Sequence, residues 1–268
     1  MRFDKPVGIL LLWYPTAWAL WLANQGRPPI LLVSYFFFGT IIMRSAGCVI
    51  NDIADRKIDK HIRRTHLRPL TAGEITLYEA IILFSLLLII AFFIVLLLPV
   101  KCLYWSVLAL IITIIYPFCK RFFEAPQLVL GLAFSMGIPM AYAASGIAIN
   151  SLVIELMLLN FAWIVAYDTM YAMADREDDL KIGVKSMAIL LGEYDRLMIL
   201  LLELFLHSGW LIVAKDIHAS RLFYGFWTVA SIVLIYQQRL LRERDPISCF
   251  HAFSSNAWYG LLMWAALS

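Results

Sequence analysis

Long apolar stretches alternate with short polar ones along the whole chain. Nine runs have the length and apolarity of a bilayer-crossing segment: 7–24, 29–50, 77–98, 102–118, 128–145, 149–171, 197–214, 222–238 and 248–267. A hydrocarbon core of about 30 Å takes roughly 20 residues at helical rise. Glu203 and His207 interrupt the seventh run, and Ser254, Ser255 and Asn256 the ninth. Backbone polar groups in hydrocarbon must be satisfied within a helix or a closed barrel, and the ten-residue alternation of a membrane barrel is absent. The pattern predicts an all-α, polytopic membrane protein, one transmembrane domain over residues 1–268. No secretory signal peptide is expected, because another span, not a cleavage site and a soluble domain, follows the first run.

Composition strengthens this reading, with 62% hydrophobic and 15% charged residues against about 45–50% and 25% in soluble domains. Insertion keeps Lys and Arg preferentially on the cytoplasmic side. With the N-terminus inside, seventeen of the 22 basic residues fall in inside segments, Arg2 and Lys5 among them. Four fall outside, Arg27, Lys101, Lys215 and Arg221, and Arg44 lies within a span. The C-terminus is then outside. Topology accounts for the net charge of +3, and no nucleic-acid partner is expected. Cys48, Cys102, Cys119 and Cys249 lack metal-ligand spacing, and no disulfide is expected.

Two inside loops, 51–76 and 172–196, concentrate the polar residues, and each follows directly from a membrane helix. The first carries Asn51, Asp52, Asp55 and Asp59, then Arg63, Arg64 and Arg68. If the second helix runs on past the membrane boundary, a 3.6-residue period aligns Asn51, Asp55 and Asp59, with Asp52 beside them and Arg44 and Cys48 extending the row inward. In the second segment positions 168, 172, 175 and 179 share one helical face, which aims Asp168, Asp175 and Asp179 the same way. Crowded carboxylates repel one another unless a cation intervenes. Mg²⁺ suits them, since it binds through a few carboxylates together with substrate phosphates, and the nearby basic residues favour a phosphate ligand over a bare metal. A single charged loop is usually just solvated; two on one membrane face, both at helical spacing, argue for a site. Neither stretch has the ligand spacing of an EF-hand.

For several residues two readings stand. Arg44 either snorkels to the inner surface or joins the site, and its spacing from Asn51 puts both on one face. Lys120 and Arg121, after Tyr116 and Pro117, are either positive-inside anchors or site residues. Glu203 and His207 read better as a hydrogen-bonded i, i+4 pair than as a proton path. His61 and His66 read as solvated loop residues, and Trp13, Trp18, Trp21 and Trp105 as interfacial belts and helix packing. A cation transporter using Asp52, Asp55, Asp168 and Asp175 is the non-enzymatic alternative. It expects polar residues along a route to the outer face, where Glu155 stands nearly alone.

These motifs carry a resemblance over nearly the whole chain. Asn51, Asp52, Asp55 and Asp59, with Asp175 and Asp179, resemble the paired aspartate motifs of the UbiA superfamily of intramembrane prenyltransferases. Its 4-hydroxybenzoate branch is matched by 4–6 (DKP), 44–59 (RSAGCVINDIADRKID), 68–70 (RPL), Tyr116-Pro117 with Lys120-Arg121, 167–173 (YDTMYAM) and 181–186 (KIGVKS). The longer aspartate pattern of the CDP-alcohol phosphotransferases is absent. The resemblance implies nine transmembrane helices around a central cavity roofed by two cytoplasmic polar loops, in a bacterial inner membrane. It implies Mg²⁺ as cofactor, with polyprenyl diphosphate and 4-hydroxybenzoate as substrates in ubiquinone biosynthesis and naphthoate or haem as the acceptors of sibling enzymes. Asn51, Asp52, Asp55, Asp59, Asp175 and Asp179 would stand at the metal. Arg68, Lys181 and Lys185 would bind the diphosphate, and Arg121 either the diphosphate or the aromatic substrate. Asp168 or Asp175 would assist the phenol, and Arg44 or Arg121 would hold its carboxylate, beside Tyr116 and Lys120.

Overall fold

The computed structural model describes residues 6–61, 65 and 67–268, the His61 side chain excepted. Arg2, Asp4, Lys5, Arg63, Arg64 and His66, named above for topology and motif, lie outside the described residues, as does the proposed solvation of the His61 side chain. Among those described there are helices and turns but no strands.

The helices are α1 (Val7–Ala23), α2 (Ile30–Asp55), α3 (Pro69–Ala72), α4 (Leu77–Leu96), α5 (Val100–Cys119), α6 (Pro126–Ser135), α7 (Gly137–Ala144), α8 (Ser151–Ile182), α9 (Met187–Leu191), α10 (Asp195–Asp216), α11 (Arg221–Leu240) and α12 (Pro246–Ala266). Among the described residues six stretches are long and apolar enough to cross a membrane: Ile30–Asp55, Leu77–Leu96, Val100–Cys119, Pro126–Ala144, Ser151–Ile182 and Met187–Asp216. Val7–Ala23 is a shorter apolar helix. Ile82, Leu86, Ile89 and Phe93 of α4 stand exposed, an arrangement that suits lipid rather than water.

The run 128–145 is two helices, not one, broken at Met136. Pro139 supplies the reason, since proline has no N–H to return to Ser135 and its ring crowds that carbonyl. The second and sixth runs extend well beyond their apolar parts. Asn150 caps α8 by accepting from the Val153 N–H at 3.1 Å, and Gly183, at φ 70°, ends the helix after its 32 residues. That φ is left-handed, a conformation glycine adopts without steric cost. The polar segment 172–182 is therefore helix, not loop.

α1 and α8 run through the middle of the bundle, α1 against α7, α12 and α2, and α8 against α10, α6 and α12. Trp18, Trp163 and Trp210 meet at their centre, with Trp18 5.0 Å from each of the others. The Trp18 indole donates to the Gly260 carbonyl, and that of Trp163 to Asn256 Oδ1 at 2.7 Å. Satisfying the indole N–H lets such large rings be buried without loss. Trp13 and Trp18 are thus interior packing residues rather than interfacial belts. Asn256, which broke the ninth apolar run, faces inward. Glu203 and His207 are not bonded to each other: Gln238 of α11 donates to Glu203 at 2.9 Å, and the His207 ring lies 3.3 Å from the Tyr259 hydroxyl while stacking on Trp227. Burial against α11 and α12 outcompetes the local pair. All four cysteines are free and buried.

Candidate active site

The α2 helix carries Asn51, Asp52 and Asp55 to its last turn and stops. Its final carbonyls are taken up by other groups: Ile53 O by Arg56 Nη1 at 2.8 Å, Ala54 O by Arg121 Nη2 at 2.6 Å and Asp55 O by the Ile58 N–H at 2.8 Å. The last contact closes a tighter turn than α-helix, and Asp59 opens a short 3-10 turn, Asp59–His61. The single helical row expected through Asn51, Asp55 and Asp59 therefore ends at Asp55. Asp59 returns to the site by another route. Pro69 begins α3 and holds Arg68 extended, as proline does to the residue before it, at φ −64° and ψ 139°. From there Arg68 Nη1 reaches Asp59 Oδ2 at 2.5 Å and Asp52 Oδ1 at 3.2 Å. Burial pushes the Asp59 carboxyl above the ordinary carboxylate range, against the opposing pull of the Arg68 cation and the Thr65 contact.

The second acidic segment is one continuous face of α8, and Asp168, Ala172, Asp175 and Asp179 line the same cavity as Asn51, Asp52, Asp55 and Asp59. Its volume is about 570 Å³. Cations sit among the acids. Lys120, at the end of α5, places Nζ 3.6 Å from Asp55 Oδ2 and 5.8 Å from the Tyr116 ring. Burial works against its charge, but Tyr116, Asp55, Asp168 and Asp179 outweigh that and hold its ammonium above the ordinary lysine range. Arg44 also lines the cavity. It lies against the α1 backbone, where a Cβ on Gly8 would stand 2.5 Å from Nη2. A side chain at Gly8 would displace the guanidinium from its present place.

Two expected residues stand elsewhere. Lys181 is exposed and pairs with Asp178 at 3.3 Å; two residues beyond Asp179 on a helix it turns about 200° away from the lining face. Arg121 is exposed and lies outside the cavity lining, its guanidinium on Ala54 O and over the Phe118 ring at 5.5 Å. Lys185 lines the cavity, but its ammonium is held by Phe122 O at 3.3 Å and Glu124 at 3.7 Å.

Other contributors had weaker signals in the sequence. Gln127 lines the cavity, buried, and accepts from the Met187 N–H at 3.0 Å; a lone amide after Pro126 gave little hint of this. Asp195, fully buried, takes Arg176 and, at 2.9 Å, Arg244. Those contacts fasten the acidic end of α8 to α10 and the loop before α12. An acid opening an apolar helix was the available sign. Tyr167, Tyr171, Phe250 and Phe253 form an aromatic wall, with Tyr171 and Phe253 5.0 Å apart. Leu11, Leu130 and Ala133 continue the apolar lining.

The cavity thus joins an acid-and-cation mouth to an aromatic and aliphatic interior. Among the described residues no three His, Cys, Asp or Glu side chains gather into a ready-made metal cage. The donor set still suits Mg²⁺ on a phosphate ligand, because that ion takes only a few carboxylates and completes its shell from substrate oxygens and water. Carboxylates from two helices facing one space, with Arg68 and Lys120 between them, offer both kinds of partner.

A cavity of this composition, inside a helical bundle with membrane-length apolar stretches, suits a ligand with an anionic head and an apolar body. Residues 12–265 match the model of the UbiA prenyltransferase family, and the chain belongs to that family. It is 60% identical over 267 residues to a 4-hydroxybenzoate octaprenyltransferase of Legionella pneumophila (strain Lens), covering 100% of this chain and 95% of the relative. Identity is 50% over 270 residues to a protein of the same name from Pseudoalteromonas translucida, covering 100% and 91%. The fold is similar to that of the apo UbiA homologue from Aeropyrum pernix K1, with a TM-score of 0.85 at 22% identity over 99% of this chain and 98% of that one. It is also similar to a UbiA homologue from Archaeoglobus fulgidus bound to GPP and Mg²⁺, with a TM-score of 0.73 at 18% identity over 98% and 97%.

Proposed function

We propose that the protein transfers a polyprenyl group from polyprenyl diphosphate to the ring carbon ortho to the hydroxyl of 4-hydroxybenzoate, giving 3-polyprenyl-4-hydroxybenzoate for ubiquinone biosynthesis. The observation that carries this reading is the meeting of both aspartate segments, Arg68 and Lys120 on one cavity with an apolar interior. The acceptor is favoured by the full-length likeness to 4-hydroxybenzoate octaprenyltransferases.

Asn51, Asp52, Asp55, Asp59, Asp175 and Asp179 would hold Mg²⁺, which when bound supplies positive charge to a diphosphate leaving group. Arg68 and Lys120 add cationic donors there, at positions fixed by Asp52, Asp59 and Asp55. Charge developing on the departing diphosphate is stabilised where such groups are already oriented. The allylic C–O bond then ionises, and the aromatic wall and aliphatic lining keep water from the cationic prenyl fragment. The ring carbon attacks and its proton leaves. Asp168, which lines the cavity with Arg44 and Asp175, would orient or deprotonate the phenol, or Asp175, about two helical turns further along α8, would do so. Arg44, on the same cavity, would hold the acceptor carboxylate.

In this reading residues 1–268 form one transmembrane domain of nine spans, in which α1, α11 and α12 complete the six long apolar stretches. The N-terminus and both aspartate segments face the cytoplasm of a bacterial inner membrane, the C-terminus faces outward, and the prenyl tail enters from lipid. Membranes containing the protein, incubated with polyprenyl diphosphate, Mg²⁺ and a panel of labelled acceptors, test this. Prenylated 4-hydroxybenzoate is the expected product; preferential labelling of a naphthoate or haem acceptor would assign the protein to a different branch.

A further inference from the structure

The short turn after α5 touches both halves of the acidic mouth. On one side Arg121 Nη2 donates to Ala54 O at 2.6 Å, and Lys120 Nζ stands 3.6 Å from Asp55. On the other, the Lys185 N–H donates to Lys120 O at 3.0 Å, and its ammonium donates to Phe122 O at 3.3 Å. The last carbonyls of a helix have no partner within it and must find one outside. For α2, Arg56 and Ile58 supply local partners to the carbonyls on either side, but that of Ala54 is met by Arg121, from the turn after α5. Ala54 immediately precedes Asp55.

We propose that Arg121 is a positioning residue: it fastens the end of α2 to the turn at 120–122, which is itself bonded to the loop after α8, and so fixes the separation of the two aspartate segments. Its guanidinium acts on the backbone of α2, not on the diphosphate or the acceptor carboxylate. This role rests on the prenyl-transfer reading of the cavity.

The test compares wild type with Arg121→Met, which keeps the aliphatic stem and removes the donor, and Arg121→Lys, which retains one. In substrate-free protein, amide hydrogen exchange over residues 51–58 is expected to quicken about 10-fold in Arg121→Met, because local opening follows lost tertiary contacts, and to recover in Arg121→Lys. Turnover is expected to fall about 10- to 100-fold, as when a residue orienting a metal ligand is lost, with the KM for 4-hydroxybenzoate within about 2-fold of wild type. Binding of inorganic diphosphate with Mg²⁺, measured by calorimetry, is expected to weaken in Arg121→Met and recover in Arg121→Lys. Unchanged exchange in the free protein overturns the proposal, as does quickened exchange with unchanged turnover and diphosphate binding, or a lost KM with intact exchange. Failure of wild type to prenylate 4-hydroxybenzoate would count against the acceptor reading instead, leaving the exchange and diphosphate results to judge Arg121.

Discussion

The two acidic arms of the cavity are built in different ways. The α8 arm is a single uninterrupted helix, in which Asp168, Asp175 and Asp179 share a face by periodicity alone. The α2 arm breaks after Asp55, and its third acidic residue, Asp59, returns through a 3-10 turn clasped by Arg68. One arm is therefore aligned by helix periodicity, the other by a turn and the Arg68 contacts. Substitutions that leave helix register alone should spare the first and disturb the second.

The largest effects are expected where each arm meets the leaving group. Asp55→Ala and Asp175→Ala should each reduce prenyl transfer by on the order of 10²- to 10³-fold, the scale for losing one preorganised charge-stabilising group, while folded protein stays abundant by detergent-solubilised size exclusion. Near-normal turnover in either would separate the arms functionally. Next comes Arg68→Met, expected to lower turnover by about 10- to 100-fold because it removes the cation paired with both Asp52 and Asp59. A smaller loss than that from Lys120→Met would show that the clasp matters less than the single contact to Asp55.

Smaller effects sharpen the contrast further. Gly260→Ala would press a methyl group into Tyr14 and Trp163, and thermal unfolding in micelles should register a loss of about 1–3 kcal/mol, as overpacked cores show. Lys181→Met, on the outward face of α8, is expected to change turnover by less than about 2-fold, in line with surface substitutions worth under about 0.5 kcal/mol. A loss comparable to that of Arg68→Met would contradict the outward orientation of Lys181.

This contrast also governs what was legible in the sequence. Helix type, approximate boundaries and the α8 face followed from apolar run length and 3.6-residue spacing, and the grouping of Asp55 with Asp175 followed from topology. The break at Asp55 was not legible, because nothing in Arg56-Lys57-Ile58 forbids helix; it goes with contacts from Arg56, Ile58 and the distant Arg121 to the last α2 carbonyls. Arg121 and Lys181 were drawn toward the ligand by charge and motif, and the fold turned one onto a backbone carbonyl and the other onto Asp178. Gly8 gave no sign, since its role exists only once Arg44 lies against it.

On this reading two separately built arms hold one diphosphate. Calorimetric binding of inorganic diphosphate in the presence of Mg²⁺, and again after chelation by EDTA, tests it most directly in wild type, Asp55→Ala, Asp175→Ala and the double variant. The account predicts Mg²⁺-dependent binding in wild type, severe loss in either single variant, and a double variant scarcely worse than either, the non-additivity expected of residues acting on one ligand. Near-wild-type binding in one single variant, or losses that simply add, would contradict a shared site.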